Sequence, residues 1–254
     1  MEATVKYTLK NAEHINNWKK EYGLKWMEPI CHQTYIDACN GKWNITLTPT
    51  KAVPHAWIGD VTGKKILGLA SGGGQQMPIL TALGAECTVL DISRVQLDNE
   101  REVAKREGYH IEIVEGDMTD RLPFDDNTFD MIINPVSNQY IEEVIPVFEE
   151  CYRVLKPGGY LLCGLDTGIY WIFDDNEEKV IHSLPFNPLK DRSIYEELMA
   201  KDMGLQFSHT FEEQIGGQLK TGFRLLDIYE DTNGAGPLHD KNIPTFMATR
   251  SQKI

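Results

Sequence analysis

Three consecutive glycines, Gly72, Gly73 and Gly74, stand between two apolar runs, and the second run ends in a carboxylate, Asp91. Two similar runs end in further polar tips: Asp117 after HIEIVEG, and Asn134, Ser137 and Asn138 after FDMII. Glycine accepts positive φ and lets backbone approach a ligand, and the helix after such a turn presents unpaired N–H groups to polar or anionic atoms. An acid at the tip of the next parallel strand sits where a ribose offers two hydroxyls. These residues suit the holding of a nucleoside cofactor.

The elements that must position them alternate in type. A strand (Ile66–Ala70), a helical pattern (MPILTALG) and a second strand ending in Asp91 are followed by a helix that Ser93 and Gln96 open in capping-box spacing and Gly108 closes. The third strand ends in Gly116 and Asp117, and LPFDDN turns the chain into the fourth, FDMIINPVSN. A long helix from Gln139 to Leu155, a KPGG turn and a fifth strand, YLLCGL, complete the series. This alternation predicts a parallel sheet with right-handed crossovers, its polar tips gathered on one carboxyl edge. A dehydrogenase would use GxGxxG, but position 70, where its first glycine would fall, is alanine.

Composition narrows the partners. The 254 residues, 41% hydrophobic and 25% charged, suffice for one α/β core with an added cap. The chain has no apolar run of bilayer length and no leader-like start, and is expected to be soluble and cytoplasmic. Its five cysteines (Cys31, Cys39, Cys87, Cys151, Cys163) form no CxxC pair and read as free thiols in a reducing compartment. Cys31, His32 and Cys39 match no standard zinc spacing, so no metal is expected. Net charge is −13, and residues 1–60, with seven lysines and six acids, leave −14 on the remainder. Such a body repels a phosphate backbone and favours a small or uncharged partner over nucleic acid.

The succession ILGLASGGG, VLDIS, VEGDM, LPFDDNTFDMII and ECYRVLKPGGYLLCG resembles the class I S-adenosylmethionine-dependent methyltransferases, in particular the group that includes the ubiquinone and menaquinone biosynthesis methyltransferases. The likeness spans residues 62–165 and, more loosely, the C-terminal strands. It implies an α/β fold: a Rossmann-like, doubly wound, seven-stranded sheet, parallel except for the last strand, with the final two strands an antiparallel hairpin at one edge. It implies S-adenosylmethionine as cofactor and S-adenosylhomocysteine as product. Ala70, Ser71, Gly72, Gly74, Gln75 and Gln76 would then cradle the methionine part, with Asn134 near its sulfonium end. Asp91 would hold the ribose, Ile92 lie against the adenine, Asp117 accept from its amino group, and Met118 lie beside the ring. The family has an acid where this chain has Gly68 and a glycine where it has Ala70. Gln75, Gln76 or a cap residue must replace that acid, or cofactor affinity is reduced; a non-catalytic binder is the alternative.

The remaining segments frame the site. Residues 1–60 read as a helical cap and connector, and 61–254 as the cofactor-binding core with a lid-like insertion at 165–203. In the cap, Trp26, His32 and Tyr35 are candidates for substrate contact, packing of cap onto core being the plainer reading. In the insertion, Tyr170, Trp171 and Phe173 either line a pocket or anchor the segment, and Ser193 with Glu196 starts a short helix. Thr210 and Glu213 open another helix, FEEQIGGQLKTG, where His209, Gln214, Gly216 and Gly217 are expected to face substrate. GFRLLDIYED and IPTFMATRSQ are strands six and seven, joined by the loop NGAGPLHDKN.

Methyl transfer from a sulfonium is an in-line displacement that mainly requires alignment and exclusion of water. A general base is needed only for an acceptor that must lose a proton, and His32, His55, His182, His209 and Glu142 are candidates, His209 preferred for its place before a glycine-rich helix. The tetrad Asn134–Pro135–Val136–Ser137 is similar to the N/D-P-P-Y motif of amino methyltransferases but lacks the aromatic that would stack on a flipped base. A small-molecule acceptor is therefore expected, with a protein or nucleic-acid amino group as the alternative. The sequence leaves the oligomeric state open.

Overall fold

The computed structural model describes residues 6–22, 27–201 and 204–254. Among the described residues three helices precede the sheet: α1 (Tyr7–Tyr22), α2 (His32–Cys39) and the single turn α3 (His55–Ile58). The core then runs β1 (Lys65–Leu69), α4 (Gln76–Ala82), β2 (Glu86–Asp91), α5 (Arg94–Glu107), β3 (Glu112–Glu115), a loop, β4 (Phe129–Asn134), α6 (Ile145–Val154) and β5 (Leu155–Asp166). After the insertion, which holds α7 (Arg192–Ala200), come α8 (Gly217–Thr221), β6 (Phe223–Asp231), α9 (Gly236–Asp240) and β7 (Phe246–Lys253).

The seven strands form one sheet in the order β3-β2-β1-β4-β5-β7-β6. Strands β3 to β5 pair in parallel, and β7 runs antiparallel between β5 and β6. The strand alternation explains how both faces are buried. Ile66, Val89, Ile133 and Leu162 enter one core with Met77 and Leu80 of α4, Leu97 of α5 and Trp57 of α3. Their neighbours Leu67, Leu90, Ile132 and Leu161 enter the other with Val147 and Phe148 of α6. The doubly wound, seven-stranded sheet with an antiparallel last strand agrees with the expectation. The strand order reverses between β1 and β4, which makes their carboxyl ends the topological switch point where such sheets bind ligands.

Several local expectations need correction. The helix expected from Gln139 begins at Ile145, with Pro146 in its first turn, and only a 3-10 turn occupies Asn138–Tyr140. The carbonyls an earlier helix would use are engaged elsewhere: Gln139 O accepts from Phe207 N (2.7 Å), Tyr140 O from Asn11 Nδ2 (3.0 Å) and Ile141 O from His209 Nε2 (3.0 Å). The KPGG turn is a bulge inside a longer β5, where pairing passes from Phe129–Leu155 to Met131–Tyr160. Ser193 does not cap α7; Asp191 does, its Oδ1 accepting from Ser193 N and Ile194 N. Ser93 caps α5 as expected, and Thr210 with Glu213 forms a full reciprocal box, after which the chain makes a π-helical turn (Glu212–Gly216) before α8. The loop between β6 and β7 contains α9.

Two N-terminal segments cross the carboxyl edge of the sheet. Helix α1 packs Tyr7 against a small core of Phe186, Leu198, Leu205 and Phe207 from the insertion and the chain after it. Residues 44–52 form a strap: Gln76 Nε2 donates to Thr46 O (3.1 Å), Val136 N to Leu47 O (3.0 Å), and Thr50 N to Asp231 Oδ2 (2.8 Å). Glycine at position 164 of β5 admits this strap, because a Cβ there would overlap the Leu47 carbonyl. No helix of the described residues is long and apolar enough to cross a membrane.

Gly164→Ala is therefore expected to push the strap off the sheet and destabilise the fold by about 1–3 kcal/mol. Urea unfolding of the variant beside the wild type measures this, and an unchanged midpoint would contradict the close approach.

Candidate active site

A cavity of about 740 Å³ lies over the carboxyl ends of β1, β2, β3 and β4, a volume ordinary for a small-molecule or cofactor site. Thr8, Asn11 and Ile15 of α1 and residues 44–49 of the strap form its opposite side. Its charged lining residues are Glu28, Asp91 and Asp117; among the described residues no Lys, Arg, His or Cys lines it.

The glycine turn is shaped by β2 and α5. Ala70 adopts φ +46°, a left-handed conformation in which glycine is the easier residue, and Gly73 and Gly74 are at φ +111° and +70°. Asp91 Oδ2 accepts from Gly72 N (2.9 Å) and Oδ1 from Ser93 N (2.8 Å). A Cβ on Gly72 would lie 2.9 Å from that Oδ2 and 2.7 Å from Gln96 Cβ, so only glycine lets the carboxylate in. Gly73 N donates to Gln96 O and Gly74 N to the buried Glu100. The three glycine N–H groups thus hold the turn to the core. Ser71, Gln75 and Gln76 line the cavity beside them, with Ser71 Oγ donating to Gln76 Oε1 (3.2 Å).

Burial governs the acids behind this turn. It pushes the Asp91 carboxyl above the usual range, against the pull of the Ser93, Gly72 and Ile92 N–H groups. It pushes Glu100 further, up to about 8, against the Gly74 N–H. At β3, Asp117 Oδ1 accepts from Thr119 N (2.8 Å) and Thr119 Oγ1 (2.7 Å), and Oδ2 pairs with Lys6 Nζ at 2.9 Å. Burial raises this acid too, but the polar groups of Thr8, Lys6 and Thr119 around it outweigh that and hold the pKa low.

The cavity brings together Ala70, Ser71, Gly72, Gln75, Gln76, Asp91, Ile92, Asp117 and Met118 of the expected set. Gly74 faces Val103 and Pro29 instead. Asn134 does not line it: its Nδ2 donates to Leu69 O (2.8 Å) and Ser137 Oγ (2.9 Å), and its Oδ1 accepts from Cys163 Sγ. Of the base candidates, His32 contacts Glu107, His55 stacks on Trp43, His182 lies against Phe186, and Glu142 accepts from Asn187. His209 is buried, its pKa lowered by that burial, and none of the five lines the cavity.

The aromatic candidates pack elsewhere. Tyr35 stacks on Tyr109, and Trp26 falls outside the described residues. Trp171 stacks on Phe186 and donates to Asp166 Oδ2, Tyr170 sits edge-on to Trp171, and Phe173 bridges to Val180. Gln214 donates to the Asp166 and His209 carbonyls, Gly216 lies by Glu212, and Gly217 packs against Ile145 and Phe148. What sequence reasoning missed is the strap, α1, Glu28, Tyr140 and Phe246. The proline and threonine content of the strap marks a connector and carries no sign that it crosses the sheet edge.

The departure at position 68 has a local cause. A Cβ on Gly68 would lie 2.8 Å from Met77 Sδ, so a side chain there would displace the buried Met77. The lining nevertheless fits S-adenosylmethionine: a buried carboxylate at the β2 tip for a diol, apolar Ile92 and Met118 for a base, and an all-acidic charge set for a cationic group.

Glu100 gives this site a pH signature. Unfolded, the group titrates near 4.3, and folded near 8, so the native state holds the extra proton between them and stability falls as pH rises through that window. Glu100→Gln keeps an acceptor for Gly74 N–H without the titration. Urea midpoints should fall from pH 5 to pH 8 in the wild type and fall less in the variant; parallel declines would contradict the assignment.

Comparison with known proteins places this geometry. A family model described as a methyltransferase domain matches residues 67–163. The chain is 40% identical over 252 residues to the uncharacterized methyltransferase YbaJ of Bacillus subtilis, covering 96% of this chain and 98% of that one. It is 30% identical over 193 residues to the ubiquinone/menaquinone biosynthesis C-methyltransferase UbiE of Cereibacter sphaeroides, covering 72% and 75%. Its fold is similar to a solved S-adenosylmethionine-dependent methyltransferase from Mesorhizobium loti, with a TM-score of 0.62 at 18% identity over 78% of this chain and 95% of that one. With a relative 40% identical along nearly its whole length and the cavity where the fold binds its ligand, the chain belongs to the class I S-adenosylmethionine-dependent methyltransferases, and S-adenosylmethionine is its cofactor.

Proposed function

We propose that the enzyme methylates a small-molecule acceptor held in the same cavity as the cofactor. The observation that carries this reading is the cavity wall: a mostly apolar surface, narrowed by α1 and the strap, with no lining cation among the described residues. A nucleic-acid strand needs a basic track, and the protein's charge of −13 opposes one. An amino-methyltransferase grip on a target nitrogen needs a free side chain at position 134, and Asn134 is engaged in three contacts. The name of the UbiE relative, a biosynthetic C-methyltransferase of ubiquinone and menaquinone, supports the small-molecule reading.

In this reading Asp91 holds the ribose hydroxyls, which reach it from the cavity side while Gly72 and Ser93 N–H orient the carboxylate. Ile92 and Met118 flank the adenine, and Asp117, steadied by Lys6 and Thr119, accepts from its amino group. Ala70, Ser71, Gly72, Gln75 and Gln76 hold the methionine part, Gly74 fixing the turn from behind. The bound cofactor supplies an electrophilic methyl group on a positively charged sulfur. The wall at Val136, Ser137, Tyr140, Ile141, Leu47, Thr48 and Phe246 orients the acceptor and excludes water, which is most of what in-line methyl transfer asks of a protein.

Asn134 and His209 act through that wall. Asn134 ties Ser137 to β1, and His209 fixes Ile141 by its carbonyl. The described part of residues 1–60 serves as cap and connector, while Phe186 and Leu198 of the insertion buttress α1 from outside.

Incubating the enzyme with methyl-labelled S-adenosylmethionine and a fractionated cell extract tests the acceptor class. Label is expected in the low-mass fraction, dependent on active enzyme and lost with Asp91→Ala. Label confined to protein or nucleic acid would contradict the reading.

A further inference from the structure

We propose that Glu28 is the carboxylate that receives the α-ammonium of the cofactor's methionine part. The inference rests on the reading above, in which the glycine turn holds that part of the cofactor.

An ammonium withdrawn from water needs an anion or several good acceptors, and a charge-assisted hydrogen bond to carboxylate is the strong solution. Three carboxylates line the cavity. Asp91 is gripped by two N–H groups at the β2 tip, and Asp117 is paired with Lys6 and Thr119 at β3. The Glu28 carboxylate makes no ion pair or hydrogen bond among the described residues.

Its backbone, by contrast, is fastened beside the glycine turn. Asn99 Nδ2 donates to Met27 O (3.0 Å), Gln75 Nε2 to Glu28 O (3.0 Å), Ile30 N to Gly74 O (2.9 Å) and Arg106 Nη2 to Ile30 O (2.6 Å). Pro29 packs where a Cβ on Gly74 would lie, 3.0 Å from its own Cβ. A segment far from the turn in sequence is thus held against it at both its carbonyls and its N–H, with one charged side chain left to the cavity. The alternatives on the core serve less well: Gln75 is a neutral amide that gives its Nε2 to Glu28 O. Position 68 is closed by Met77, and Gln76 is tied between Ser71 and Thr46.

The test is calorimetric titration with two ligands: S-adenosylhomocysteine, which carries the ammonium, and 5′-methylthioadenosine, which has the same nucleoside and thioether without the amino-acid head. Glu28→Gln is expected to weaken S-adenosylhomocysteine about tenfold or more and leave methylthioadenosine unchanged. Asp91→Ala is expected to weaken both. An unchanged S-adenosylhomocysteine affinity in Glu28→Gln, or an equal loss for both ligands, overturns the proposal while Asp91→Ala still upholds the site. If Asp91→Ala changes neither affinity, or the wild type binds neither ligand, the reading of the site falls and the proposal falls with it.

Discussion

One carboxylate, Asp91, organises the site. Its two oxygens accept from Gly72 N and Ser93 N, so the turn after β1 and the start of α5 are fastened to the tip of β2 by a single side chain. Burial raises the cost of its charge, and the backbone N–H groups offset part of that cost. The geometry requires glycine at 72, because a Cβ would occupy the space the carboxylate enters. The same carboxylate lines the cavity, already oriented by those two N–H groups.

The wall across from Asp91 depends on a different device. Residues 139–141 escape the helix their sequence suits because three donors from distant segments take their carbonyls: Phe207 N, Asn11 Nδ2 and His209 Nε2. Asn11 also exchanges hydrogen bonds with Leu205, donating to its carbonyl and accepting from its N–H. The N-terminal helix, the cavity wall at residues 139–141 and the chain after the insertion therefore form one connected unit. A change in any of them reaches the cavity through backbone positions rather than through a reactive side chain.

This contrast explains what was legible in the sequence. β1, β2 and β4, the glycine turn, Asp91 and Asp117 are written locally, in apolar runs that end in polar tips, and the structure has them there. The starts of β5 and α6 are not, since their boundaries come from the bulge opposite Phe129 and from carbonyls claimed from more than sixty residues away. The strap is likewise invisible, because Thr46 and Leu47 meet Gln76 and Val136 only once the sheet has formed. Histidines attract attention as bases in any sequence reading, yet the five sequence candidates for that role, four histidines and Glu142, lie outside the cavity lining. Local pattern gives the glycine-turn side of the cavity, and long-range packing gives the opposite wall.

The most direct measurement is a crystal structure of the enzyme with S-adenosylhomocysteine. The account predicts ligand density over the carboxyl ends of β1 to β4, the ribose hydroxyls within hydrogen-bonding distance of Asp91, and the adenine between Ile92 and Met118. Density elsewhere, or a ribose turned away from Asp91, would contradict it.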